Sequence, residues 1–280
     1  MAKSQSNRGR VKAAADWRHR LHDPAFIARR AAAAARKLGL RRRVLARTGE
    51  GVIEAYESVG QGVRGEVRPR VYLSAGMHGD EAGGVEAILR WMEGKGNRWA
   101  AQVDFTLVPC INPGAIRGNT RNGPDGLDWN RGFAWTAPHA AIDALKAGVR
   151  SRGPFDLALL LHEDYDGCGL YLYELNTAGE SWGNALLAAA LPFLPSDGRA
   201  SIDGSRSKGG LIARSLESPT LRARLAHYGV PEAAWLVATR LAPRVYTLEA
   251  PSEFDVERRA DGLRAAVDRA LTLLVEEKGR

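Results

Sequence analysis

From residue 48 to the C-terminus, short apolar runs alternate with stretches of helical periodicity, and that alternation admits few folds. Segment 52–58 (VIEAYES) alternates as a half-exposed strand does. Segments 71–76 (VYLSAG), 103–110 (VDFTLVPC), 156–161 (DLALLL) and 244–248 (RVYTL) are continuous apolar runs, the pattern of strands covered on both faces. YLYEL, beginning at Tyr171, reads as a further strand, and the Gly/Ser-rich stretch 203–210 as a surface loop. Helices are expected at about 82–94, 139–150, 181–192 and 218–227. A last helix sets Val256, Ala260, Leu263, Val267, Ala270 and Leu274 on one face. Strands alternating with helices predict an α/β sandwich around a mainly parallel sheet.

Composition limits the alternatives. A chain of 280 residues with 45% hydrophobic side chains buries a sizeable core and is not intrinsically disordered. No run approaches the roughly 20 apolar residues of a membrane span. Two cysteines, Cys110 and Cys168, are too few for a disulfide framework or a thiolate zinc site, so a reducing, cytoplasmic setting is expected. The formal net charge of +8 is unevenly spread: residues 1–47 hold 14 Lys and Arg against Asp16 and Asp23, and the remainder holds 26 basic against 30 acidic groups. The division drawn from this is a basic, helical N-terminal arm over 1–47 and a catalytic domain over 48–280. In the arm, FIARRAAAAARKLGL (26–40) favours a helix, and Pro24 separates it from a shorter one over 11–21. Three readings fit the arm: a solvated helical face leaning on the domain, a contact with nucleic acid or another polyanion, or an Arg-rich transit peptide.

Residues just beyond the carboxyl end of each strand carry the chemistry. VYLSAGM is followed by HGDE, DLALLL by His162, RVYTL by Glu249, and VDFTLVPCI by NPGAIRGNTRNGPDGLDWNRGF. In open α/β sheets ligands bind outside the carboxyl ends of strands, so these groups are placed to converge. His78, Glu81 and His162 form a His₂Glu set, a catalytic zinc arrangement that keeps a fourth position for water. His78 and Glu81 straddle a strand-to-helix turn, where a spacing of three lets both face one point. Glu249 is the candidate general base, with Glu253 in the following loop as its competitor. Arg121 is the candidate for offsetting charge on a carbonyl oxygen. Asn130 and Arg131 can grip a carboxylate, and Asp128 can accept from the outer nitrogen of a zinc-bound histidine, His78 in first place. Singly, each of these residues has a plain structural reading; their joint occurrence at strand ends favours the metal site.

The four segments AGMHGDE, NPGAIRGNTRNGPDGLDWNRGF, LLLHE and YTLEAPS resemble the zinc metallocarboxypeptidase family typified by carboxypeptidase A. Its smaller bacterial members and the succinylglutamate desuccinylase/aspartoacylase branch are nearest in style. The resemblance spans roughly residues 48–275 and implies a three-layer α/β sandwich with a mixed, mostly parallel central sheet. It also implies one Zn²⁺ held by His78, Glu81 and His162, acid/base Glu249, oxyanion stabiliser Arg121, and carboxylate recognition by Asn130 and Arg131. The chain departs from the family in DWNRGF, with Trp129 and Gly132, and in HEDYD, where Glu163, Asp164 and Asp166 follow His162. Those carboxylates are open to tuning the metal, binding a cationic substrate group, holding a second metal, or forming a solvated turn. No catalytic tyrosine is assigned; Tyr228 and Tyr246 are candidates only. The expected activity is zinc-dependent cleavage of an amide bond beside a free carboxylate in a short peptide. Two alternatives stand: an N-acyl amino acid deacylase, and a non-catalytic binding module with a polyanion-binding arm.

Overall fold

Buried apolar runs become the centre of one sheet. The computed structural model describes residues 18–59, 68–94, 96–134 and 136–279. The elements are α1 (Pro24–Lys37), β1 (Leu40–Thr48), β2 (Gly51–Ser58), β3 (Arg70–Ala75), α2 (Ala82–Glu93), α3 (Gly96–Ala100), β4 (Asp104–Val108) and α4 (Pro113–Gly118). Next in the chain are α5 (Ala140–Arg150), β5 (Leu157–Asp164), β6 (Tyr171–Asn176), α6 (Gly183–Ala190), β7 (Ser201–Ile202), β8 (Ser205–Arg206) and β9 (Leu211–Arg214). The last are α7 (Pro219–Tyr228), α8 (Glu232–Ala238), β10 (Arg244–Pro251) and α9 (Val256–Lys278). Eight strands form a mixed sheet in the order β1-β2-β4-β3-β5-β10-β6-β9, with β4, β3, β5 and β10 mutually parallel at its centre. This is the mixed, mostly parallel sheet expected.

Two cores make it three layers. On one face Leu159, Leu161 and Leu248 pack with Ile27, Val85, Ile88, Leu186, Leu263 and Val267 from α1, α2, α6 and α9. On the other, Ala158, Leu160 and Val245 pack with Ile142, Leu145 and Trp235 from α5 and α8. Alternation along each strand therefore divides the side chains of β5 and β10 between two helical layers. The indole N–H groups of Trp91 and Trp99 donate to Asp268 Oδ1 at 3.1 and 3.0 Å, tying α2 and α3 to α9. Among the described residues no helix is long and apolar enough to cross a membrane.

The boundary after Arg47 is corrected. Helix α1 begins as read, with Asp23 capping the Phe26 N–H at 3.0 Å and Pro24 in the first turn. It stops at Lys37, and Gly39 at φ +68° turns the chain into β1, which pairs antiparallel with β2 from Leu40↔Ser58 to Thr48↔Gly51. The cut thus falls inside an edge strand of the main sheet. Composition misled here because the charge of LRRRVLART is matched across the strand pair rather than along the chain. Arg43 meets Glu57 at 2.7 Å, Arg41 meets the same carboxylate at 3.4 Å, and Arg42 pairs with Glu54. Arg30 likewise bridges Glu86 at 2.6 Å and Glu93 at 2.9 Å. Residues 1–17, and with them most of the short helix expected over 11–21, lie outside the described residues.

Candidate active site

The site starts at the turn between β3 and α2. Gly79 donates its N–H to the Thr120 carbonyl at 2.8 Å, and a Cβ on Gly79 would stand 1.8 Å from the Ala115 carbonyl oxygen. Only glycine lets this turn press against α4 and the loop that follows it, which brings Arg121 beside His78. Glu81 occupies the N-cap position of α2 yet makes no capping bond with its side chain. Its carboxylate turns instead to the two imidazoles, Oε1 lying 2.5 Å from His78 Nδ1 and Oε2 2.7 Å from His162 Nδ1. The three residues are 2–4% exposed, and their donor atoms lie within 4.8 Å of one another. Among the described residues this is the single such cluster of His, Cys, Asp or Glu.

Parallel pairing supplies the next group. Glu249 on β10 is in register with His162 on β5, and Tyr171 on β6 is in register with Glu249, so the three share a row across the sheet. The competitor Glu253 is exposed and outside the cavity lining. Burial pushes the Glu249 carboxyl up to about 8, with repulsion from Glu81 and Asp164 adding to it. At the triad, burial alone would lower the His78 pKa, but Glu81 and Asp128 raise it to about 9. Burial would raise that of Glu81, yet His78 and His162 hold it well below the carboxylate range. A pocket that draws protons onto two imidazoles around one anion favours positive charge, as a divalent cation site must. The donor set and its burial fit a His₂Glu zinc centre.

Asp128 lies against the outer side of His78, while Arg121 reaches its inner side, with Nη1 3.5 Å from His78 Nδ1 and 3.7 Å from Glu81 Oε1. Asp128 Oδ1 is 3.0 Å from His78 Nε2, which leaves Nδ1 toward Glu81, and Asp128 Oδ2 accepts from Arg121 Nη2 at 2.9 Å. Asp128 Oδ1 also accepts from the Asn130 N–H at 2.9 Å, opening the single 3-10 turn Trp129–Arg131. Asn130 Oδ1 accepts from the Glu232 N–H at 3.0 Å, so the Asn130 NH₂ is the end left for a ligand. Glu232 is itself anchored, its carboxylate accepting from Tyr72 at 2.6 Å and Ser74 at 3.1 Å.

His78, Glu81, His162, Arg121, Asn130, Arg131 and Glu249 face one cavity of about 380 Å³. Beyond the triad, Arg121, Asn130, Arg131 and Glu249, its wall includes Tyr171, Tyr173, Leu175 and Arg214, which the motifs did not single out. The tyrosines and Leu175 follow from the alternation of YLYEL. Arg214 has no comparable signal: it ends a four-residue strand and reaches the wall because β9 pairs parallel with β6, setting Arg214 beside Leu175. Asp164 and Asp166 also line the cavity, Asp164 Oδ2 accepting from Tyr171 OH at 3.0 Å. Tyr228 is 60% exposed on α7, and Tyr246 is buried against Glu174, so neither lines it.

Comparison with known proteins agrees with this architecture. Residues 67–192 match the profile of the succinylglutamate desuccinylase/aspartoacylase catalytic domain, so the resemblance drawn from the motifs is borne out there. No curated protein matches the sequence. The fold is similar to a candidate metallopeptidase from Shewanella amazonensis (TM-score 0.77, 21% identity, covering 91% of this chain and 94% of that one). It is similar also to a metallo-carboxypeptidase from Burkholderia cenocepacia (TM-score 0.64, 17% identity, 89% and 69%). A third is a metallo-carboxypeptidase from Pseudomonas aeruginosa in complex with (2-guanidinoethylmercapto)succinic acid (TM-score 0.61, 17% identity, 88% and 68%). At these identities the likeness is one of fold.

Proposed function

On a fold of the metallocarboxypeptidase kind and a match to the desuccinylase/aspartoacylase catalytic domain, we propose that this protein is a zinc-dependent hydrolase of amide bonds beside a free carboxylate. The observation that carries the reading is the row His162–Glu249 standing over the buried His78–Glu81 pair, with Asn130 and Arg131 in the same cavity. His78, Glu81 and His162 would hold the zinc, which when bound would supply a Lewis acid and lower the pKa of water to about 7. Glu249 takes the proton from the attacking water and hands it to the leaving nitrogen. Arg121, held by Asp128, offsets charge growing on the carbonyl oxygen. The Asn130 NH₂ and the Arg131 guanidinium are both donors, the combination a carboxylate requires. Their contribution is read by comparing N-acyl amino acids and dipeptides with the same compounds amidated at the carboxylate. Loss of charged hydrogen bonds, about 1.5–3 kcal/mol, should raise KM roughly 10- to 100-fold, and Arg131→Ala should do the same to the free acids. Equal turnover of acid and amide would refute the clamp.

One observation favours the second reading, an N-acyl amino acid deacylase, with an acidic substrate. The Arg214 guanidinium lies 3.9 Å over the Tyr173 ring, and it shares Asp203 with Arg224, at 3.9 and 3.5 Å. Two guanidiniums against one carboxylate leave that wall positive. N-acyl glutamate should therefore be turned over about tenfold or more better than N-acyl glutamine, and Arg214→Met should erase the difference. A preference that survives the substitution would move the recognition elsewhere.

A further inference from the structure

Glu163 follows His162 directly, and its side chain leaves the cavity row for the opposite face of the sheet, against α2 and α9. It is 5% exposed, and Arg259 of α9 donates to its Oε2 at 2.5 Å. The other oxygen, Oε1, is buried and met by no other side chain; it sits in the first turn of α2, where the Gly83 N–H faces the carboxylate and a Cβ on Gly83 would lie 2.0 Å from Oε1. That same Cβ would be 3.2 Å from Arg259 Cβ, so glycine at 83 is what admits both groups to the start of the helix. The first turn of α2 holds no acidic residue of its own. Its N-cap residue, Glu81, has turned its carboxylate away to the two histidines. Negative charge is favoured at a helix N-terminus, where backbone N–H groups lack partners.

We infer that Glu163, clamped by Arg259, supplies from the neighbouring strand the anionic cap that Glu81 gives up, and that the Arg259–Glu163 pair thereby fixes the start of α2 so that Glu81 meets both histidines. Arg259 is in this sense a positioning residue for the metal centre, acting through Glu163 and the α2 backbone. Removing its guanidinium leaves a buried carboxylate without its counter-charge beside the Glu81 turn. The carboxylate is then no longer held against the helix start, and the first turn of α2 loses its anchor. Glu163 also borders the cavity, but its carboxylate is held by Arg259 on the α9 side, so neither a second metal nor a cationic substrate is needed to place it.

The inference rests on the zinc reading above, and the test separates the two. Zinc affinity of the metal-free, folded protein is measured by competition with a chromophoric chelator, and the visible spectrum of the cobalt-substituted protein is recorded. Arg259→Met should weaken zinc binding about 10- to 100-fold, the range for groups that orient metal ligands, and alter the cobalt spectrum. Arg259→Lys, which keeps the charge, should recover most of the affinity. The control is Arg244→Met, which breaks the 3.0 Å pair with Glu277 at the other end of α9. It should lower stability while leaving zinc affinity within about twofold. If Arg259→Met does not fold, Glu163→Gln keeps the volume and gives up the charge, and it should weaken zinc by several-fold. Wild-type zinc affinity in folded Arg259→Met or Glu163→Gln overturns the inference alone. Absence of zinc binding by the wild-type protein overturns the hydrolase reading with it.

Discussion

Glu249→Gln protein is expected to retain its zinc and to lose kcat by about 10²- to 10⁴-fold, the usual contribution of a positioned general base. Glutamine keeps the size of the side chain and its place on β10, but it cannot hold the proton that water must give up. Zinc should stay because the donor atoms belong to His78, Glu81 and His162, and Glu249 only stands beside them in the β5–β10 register. The site equips Glu249 for the task, since burial, Glu81 and Asp164 push its carboxyl up to about 8, making it a stronger base than a solvated glutamate. This role sets the sign of the pH dependence. A base must be deprotonated to act, so activity falls as pH drops through its pKa. A bound cation stabilises the carboxylate, so the acid limb of kcat/KM should lie below 8 and should vanish with the residual activity of Glu249→Gln. The measurement pairs single-turnover kinetics with elemental analysis of the same preparation. Full turnover with zinc in place would take the base away from Glu249, and the exposed Glu253 would have to be reached by a rearranged loop.

Much of this site was legible in the sequence because its parts lie at the ends of strands whose apolar runs declare themselves. β3, β5 and β10 are each a continuous buried run, and a parallel sheet brings their C-terminal ends to one edge, which is why His78, His162 and Glu249 could be grouped without coordinates. Elements whose identity depends on partners were harder. β1 reads as basic and helical along the chain, and only the facing Glu54 and Glu57 on β2 make its arginines strand residues. Arg214 belongs to a strand too short for periodicity, and its place in the cavity comes from pairing with β6. Glu163 was ambiguous for a different reason. HEDYD looks uniformly acidic in one dimension, but alternation sends Glu163 to the α9 face and Asp164 to the cavity side, so neighbours in sequence have unrelated partners. Orientation of the Asn130 amide depends on a backbone N–H 102 residues away, at Glu232, and no local pattern contains it.

His162→Ala protein should bind zinc more weakly by a larger factor than the 10- to 100-fold typical of a change in the supporting shell, because it removes one of three donors. Wild-type protein is expected to hold about one zinc per chain after dialysis, and the variant close to none. The consequence for stability separates a ligand from a buried histidine that merely packs. A metal that binds only the folded state adds about 4 kcal/mol when its concentration is 1,000 times Kd, which for a domain of this size raises Tm by roughly 8–16 °C. Metal-free wild type and metal-free His162→Ala should differ only by the lost packing and by the Glu81 contact at 2.7 Å that His162 no longer makes. Adding zinc should then stabilise the wild type strongly and the variant little. If His162 serves packing alone, the substitution lowers both melting temperatures equally and zinc shifts them by the same amount. The difference of the two zinc-induced shifts, rather than either melting temperature, is therefore the decisive quantity, since the loss of packing cancels from it.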